Sequence, residues 1–301
     1  MNRSSAVPRG LLKFYQYLGT FFSALILAVT IVLISKYASS MNPLLYGGII
    51  GIEVYMLWKS IYSAVVIIKY MNNATDEEII ANRFIMAVLS MGVGGFITPF
   101  VLTQLPKIET NSTINPRVFL AKHLGWTMFI GSILALGATF LFALTSPMKG
   151  LFVIDTTTMI VIGIYVVIFL IGLLGISFFS SKTASEKISQ KNFLGFTMQV
   201  IGVIYTLIAT IEMILIAVMG VIRLIAVISD AIRYAANSEG IWMVFAIFIA
   251  FARITFEMMY VSMIFQISGS IIKGIWAKDQ VITIKNFQNI DEKEAELNTK
   301  R

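Results

Sequence analysis

The sequence predicts an all-α, polytopic membrane protein: six transmembrane helices plus a glycine-broken segment that re-enters the membrane or lies in its interface. Three observations carry this reading. The first is composition. Of 301 residues, 57% are hydrophobic and only 13% are charged, against about 25% charged in a typical soluble domain. A soluble core could not hide that much apolar surface, so lipid is the solvent for most of the chain. The second is the presence of seven apolar stretches separated by short polar turns. The third is where the positive charge falls.

Lys59 and Arg253 fall deep inside apolar stretches, and the other Lys and Arg lie at the ends of the stretches or outside them. If all seven stretches crossed, the count would be 8 on one side and 13 on the other, a weak bias. If the third stretch, Phe84 to Leu105, enters and leaves on one side, the count becomes 17 against 4, the four being Lys36, Lys149, Arg223 and Arg233. Lys and Arg favour the cytoplasmic face. The expected topology is therefore six crossings with both termini cytoplasmic, in the cell membrane. Seven crossings is the alternative.

The first span runs from about Leu12 to Ile34, with Arg3, Arg9 and Lys13 before or at its start. Its apolar run exceeds the core of a typical signal peptide and is read as a retained span. The second, about Leu45 to Ile68, carries Gly47, Gly48 and Gly51, small residues that let a neighbouring backbone approach. Met71 to Arg83 is a polar loop with Asp76, Glu77 and Glu78. The broken stretch follows, with Gly92, Gly94, Gly95 and Pro99 in its middle. It has three readings: a re-entrant segment, two half-helices in the interface, or a full span with a glycine packing face. Pro106 to Arg117 is a second polar loop, expected on the same face as Met71 to Arg83.

The third span is about Phe119 to Leu144 and the fourth about Leu151 to Phe179, joined by a turn at Pro147. The 44 residues from Phe193 to Ala236 contain no proline. One helix of that length would measure about 66 Å, twice the hydrocarbon core. Gly220 is the expected break, with an amphipathic helix from Val221 to Ala236 at the outer interface. The sixth span is about Ile241 to Ile272. Residues 1–280 read as a single membrane domain and 281–301 as a charged, disordered cytoplasmic tail.

Ionisable groups at membrane depth are costly and often functional. Five are candidates: Glu53, Lys59, Glu212, Arg253 and Glu257. Arg253 and Glu257 are four apart, so they are expected to pair along one helix face. Glu212 has no obvious partner in its own helix, and Glu53 and Lys59 point to different faces. Asp155 beside Thr156 to Thr158 is read as a helix cap.

Enzyme chemistry finds little support. The single histidine, His123, leaves no partner for a histidine-based metal site or a serine–histidine relay. No phosphate loop or other catalytic motif is present. With no cysteine, disulfides and thiolate sites are excluded. No cofactor or metal is implied, and no nucleic-acid surface stands apart from the spans. The expected partners are the lipid bilayer and, beyond it, other membrane subunits or a cytoplasmic protein. The expected function is transport: a permease, a pore, or the membrane subunit of a transport complex. The rival is a non-transporting scaffold or anchor that docks a cytoplasmic partner.

Overall fold

A computed structural model describes residues 7–37, 43–91, 96–105, 115–145 and 156–277. Gly92, Gly94, Gly95, Asp155 and the tail 281–301 lie outside them. The described residues contain helices and no strands. The six long apolar helices are α1 (Arg9–Tyr37), α2 (Pro43–Asn73), α6 (Pro116–Thr145), α7 (Thr156–Phe179), α9 (Phe193–Ala236) and α10 (Ile241–Ile275). All six are long and apolar enough to cross a bilayer. Four short helices stand between them: α3 (Asp76–Ala81), α4 (Arg83–Ser90), α5 (Ile97–Thr103) and α8 (Ala184–Lys187). Large apolar side chains such as Leu141, Leu144, Met159 and Leu170 face outward, as lipid contact requires.

The chain divides into two compact units, one of residues 1–206 with 277–301, the other of residues 207–276. In the first unit α2 and α6 run antiparallel along their whole length. A Cβ on Gly51 would stand 2.5 Å from Thr139 Oγ1 and 2.7 Å from the Ala135 carbonyl, and one on Gly131 would meet the Tyr55 ring at 2.7 Å. Further along, Tyr62 Oη lies 3.2 Å from His123 Nδ1. At the far end the rings of Tyr70 and Phe119 are 5.3 Å apart. The glycines read as a packing face do this work. Gly48 also offers its carbonyl to Tyr165 Oη of α7 at 2.9 Å, and Gly125 and Gly175 bring α6 and α7 into backbone contact.

This register settles the broken segment. Tyr70 is near the end of α2 and Phe119 near the start of α6, and they touch. Everything between them, α3, α4 and α5 included, therefore leaves and returns at one end of the α2–α6 pair. Neither α4 nor α5 is long enough to cross: eight and seven residues span only about 12 Å and 10 Å. Six crossings follow, and the full-span reading of Phe84 to Leu105 falls.

That end of the unit is tied together by polar contacts. Arg9, opening α1, donates from Nη2 and Nε to Asp76 Oδ1 at 2.5 and 3.0 Å, and from Nη1 to the Met71 carbonyl at 2.8 Å. Thr75 and Glu78 close a reciprocal capping box on α3. Tyr70 Oη donates to the Glu78 carbonyl and accepts from Asn82.

The second unit is an antiparallel helical hairpin. The α9 face toward α10 is lined by small and medium residues at three- and four-residue spacing: Ala209, Met213, Ala217, Gly220, Val227 and Ala231. Here the structure differs from expectation. The helix does not break at Gly220 but runs unbroken from Phe193 to Ala236. A glycine inside a helix costs only about 1 kcal/mol, and Val261 and Ile264 of α10 pack beside this one.

Candidate functional site

Lys59 sits near the middle of the 31-residue α2 and is 8% exposed. It lines a small cleft with Tyr15, Gln16 and Gly19 of α1, Ser60 and Ser63 of its own helix, and Leu89, Ser90 and Met91 at the end of α4. The cleft has a volume of ≈ 20 Å³, room for about one water. The first half of the broken segment thus dips to the level of Lys59, at mid-span.

The second half is anchored to the same place. Gln16 Nε2 donates to Thr98 Oγ1 at 2.9 Å, and both side chains are buried. Pro99, next in α5, is also buried; at the third position of a helix it costs no intrahelical hydrogen bond. The end of α4 thus lies beside Lys59, and Thr98 of α5 beside Gln16, while Gly92, Gly94 and Gly95 lie outside the described residues. Gln16, Ser63 and Thr98 are members that the sequence reading missed. The only signal for them was polarity inside an apolar run.

Hydroxyls inside these helices mostly turn back to their own backbone. Ser23, Thr127, Thr139 and Thr206 each donate to the carbonyl four residues earlier, at 2.8–3.0 Å. Ser63 does not: its Oγ is buried and has no hydrogen-bond partner.

The remaining candidates lie elsewhere. Glu53 is half-buried on α2, one turn before Met56, and is not among the residues that line the cleft. Glu212 is half-buried in α9. Glu257 is 5% exposed at the centre of α10, and its partner is not Arg253. Arg223 of α9 brings Nε to 2.7 Å from Glu257 Oε1 and Nη2 to 3.5 Å from Oε2. The same guanidinium lies 5.3 Å from the Tyr260 ring centre. Arg253 is exposed on the outside of α10. The expected intrahelical pair is thus replaced by an interhelical one, because the unbroken α9 carries Arg223 alongside α10. Among the described residues no cluster of His, Asp or Glu could hold a metal.

Together the fold and this site define the class: a multi-pass α-helical membrane protein with a small cleft beside a buried lysine. No family model, no curated protein and no solved structure matches the chain.

Proposed function

We propose that this is a transport-type protein of the cell membrane, with both termini cytoplasmic, and that the Lys59 cleft is its working site. It would be a permease, a pore, or the membrane subunit of a transport complex; no catalytic step is assigned to it. One observation supports this above the others: the short helix α4 ends beside a lysine buried near the middle of α2. Broken helices at membrane depth persist where they are enclosed by protein or line a cavity, and intramembrane charges mark ion and substrate paths.

The second reading, a non-transporting scaffold or anchor, draws support from Arg223–Glu257. That pair is closed and resembles structural cross-bracing. The test is electrical. The full chain is reconstituted in planar bilayers in potassium chloride, and current is recorded for the wild type and for Lys59→Met, which keeps the apolar stem and removes the charge. Current in the wild type that is lost in Lys59→Met is the expected result. A silent wild type that co-purifies from native membranes with a stoichiometric partner favours the scaffold.

A further inference from the structure

We infer that the groove at the start of α9, between Lys191 and Phe196, binds one anionic phospholipid, with its phosphate on the Lys191 ammonium and an acyl chain along α9. The inference goes beyond the transport reading and does not depend on it.

Charge comes first. The polar loop before α9 carries Lys182, Lys187 and Lys191 against one acid, Glu186. The three ammonium groups make no ion pair or hydrogen bond with any described residue, whereas Arg9 is met by Asp76. Uncompensated lysines beside a bilayer attract anionic headgroups. The groove gives that attraction a place. It has a volume of ≈ 500 Å³, with Gln190, Lys191 and Asn192 along its polar side and Phe193 and Phe196 along the other, and Glu186 is not on its lining.

The carboxamides beside Lys191 are already oriented. Asn192 Oδ1 accepts from the Gly195 amide at 2.7 Å, and Gln190 Oε1 accepts from Asn192 Nδ2 at 3.0 Å. Both oxygens are thereby occupied, and the Gln190 NH2 is left to donate next to the lysine. Gln199, also on the lining, gives its NH2 to the Ile188 carbonyl at 2.9 Å, which leaves its oxygen to accept from a headgroup hydroxyl.

The apolar side continues beyond the groove. Phe193 and Phe196 are 86% and 64% exposed, and Val200 and Ile204, also exposed, follow at four-residue spacing on the same face. From Phe193 to Ile204 the stripe runs about 16 Å, the depth of one leaflet in a hydrocarbon core of about 30 Å. Donors and a cation at one end of an apolar track match a phospholipid. A soluble phosphate would leave the track unused, and a choline headgroup would bring a second cation toward Lys191.

The full-length protein is purified in an uncharged detergent, and its thermal midpoint is followed as dioleoyl phosphatidylglycerol or dioleoyl phosphatidylcholine is added in mixed micelles. The expected result is a saturable rise in Tm with phosphatidylglycerol at lower concentration than with phosphatidylcholine, since a ligand that binds only the folded state stabilises it. Lys191→Gln should weaken the apparent affinity for phosphatidylglycerol about fivefold. Lys182→Gln removes the same charge from the loop but lies off the groove, and it should bind like the wild type. Phe196→Ser should weaken both lipids. Glycerol 3-phosphate, the soluble source of the same phosphate, should neither raise Tm nor compete. All three substituted side chains are exposed, so the variants should keep the wild-type midpoint without lipid.

The inference is overturned if the wild type does not distinguish the two lipids, if Lys182→Gln weakens binding as much as Lys191→Gln, or if glycerol 3-phosphate competes. The second outcome means diffuse attraction to the whole loop, and the third means a soluble anion. None of them touches the transport reading, which the bilayer current tests.

Discussion

Lys59 and Glu257 pose the same physical problem, and the protein answers it in two ways. Each is a charged residue at the midpoint of a long apolar helix, and they are 8% and 5% exposed. Glu257 is met by a guanidinium from the neighbouring helix at 2.7 Å, and an aromatic ring flanks the cation. Lys59 is set in a small cleft of mixed polar and apolar lining, where the short helix α4 ends. The ion pair meets the charge on Glu257, though Oε1 accepts no hydrogen bond. Lys59 instead shares its cleft with the unpaired Ser63 hydroxyl. The charge at membrane depth is therefore a poor guide by itself; what surrounds it separates bracing from a working site.

The largest effect should come from breaking the closed pair, and it should be asymmetric. The Arg223 side chain is 62% exposed and that of Glu257 only 6%. Arg223→Ala strands a carboxylate in low dielectric, which should cost about 2–5 kcal/mol. Glu257→Gln leaves an arginine that can reach water or headgroups, and it should cost less. The double variant should recover much of the Arg223→Ala loss. Thermal midpoints in detergent, compared across the three variants, provide the check. Equal losses from the two single variants would mean that the bridge is not the bracing element.

A smaller effect is expected at Gly51, whose packing fixes the height of Lys59 against α6. In Gly51→Ala the new methyl would meet Thr139 Oγ1, the Ala135 carbonyl and Tyr165 Oη, all within 2.9 Å. Overpacking of this kind costs about 1–3 kcal/mol. The measurement is again the thermal midpoint, paired with Gly220→Ala in the other unit. There the nearest atom to a new Cβ is 3.5 Å away, and the helix gains propensity. Gly220→Ala should be neutral or stabilising. A loss there as large as at Gly51 would contradict the packing described for α9 and α10.

Much of this was legible from sequence, for reasons that can be named. The long helices announce themselves as apolar runs. The charge count anticipated the six crossings, and the Tyr70–Phe119 contact bears it out, because a segment that returns to its own side changes the sign of every later loop. Gly47, Gly48 and Gly51 announced a close helix contact. What failed was pairing. Within one helix, spacing shows which side chains share a face, so Arg253 and Glu257 looked like partners. It carries no information about the register of a neighbouring helix, and the assumed break at Gly220 had moved Arg223 out of reach. Gln16, Ser63 and Thr98 were missed for a related reason. Each is an ordinary polar residue in its own helix, and only folding gathers them around Lys59.

The smallest effect concerns the hydrogen bond that anchors α5 to α1. Gln16 and Thr98 are both buried and bond at 2.9 Å, so removing one partner should cost more than the bond is worth. Gln16→Leu leaves the Thr98 hydroxyl without its donor, and Thr98→Val leaves the Gln16 amide without its acceptor. Each should lose about 1–3 kcal/mol. Removing both exchanges a hydrogen bond for apolar contact, which is close to neutral in a buried site. The double variant should therefore unfold near the wild-type midpoint. If the single variants are as stable as the wild type, the Gln16–Thr98 contact does not hold the hairpin, and the enclosure that distinguishes Lys59 from Glu257 must come from elsewhere.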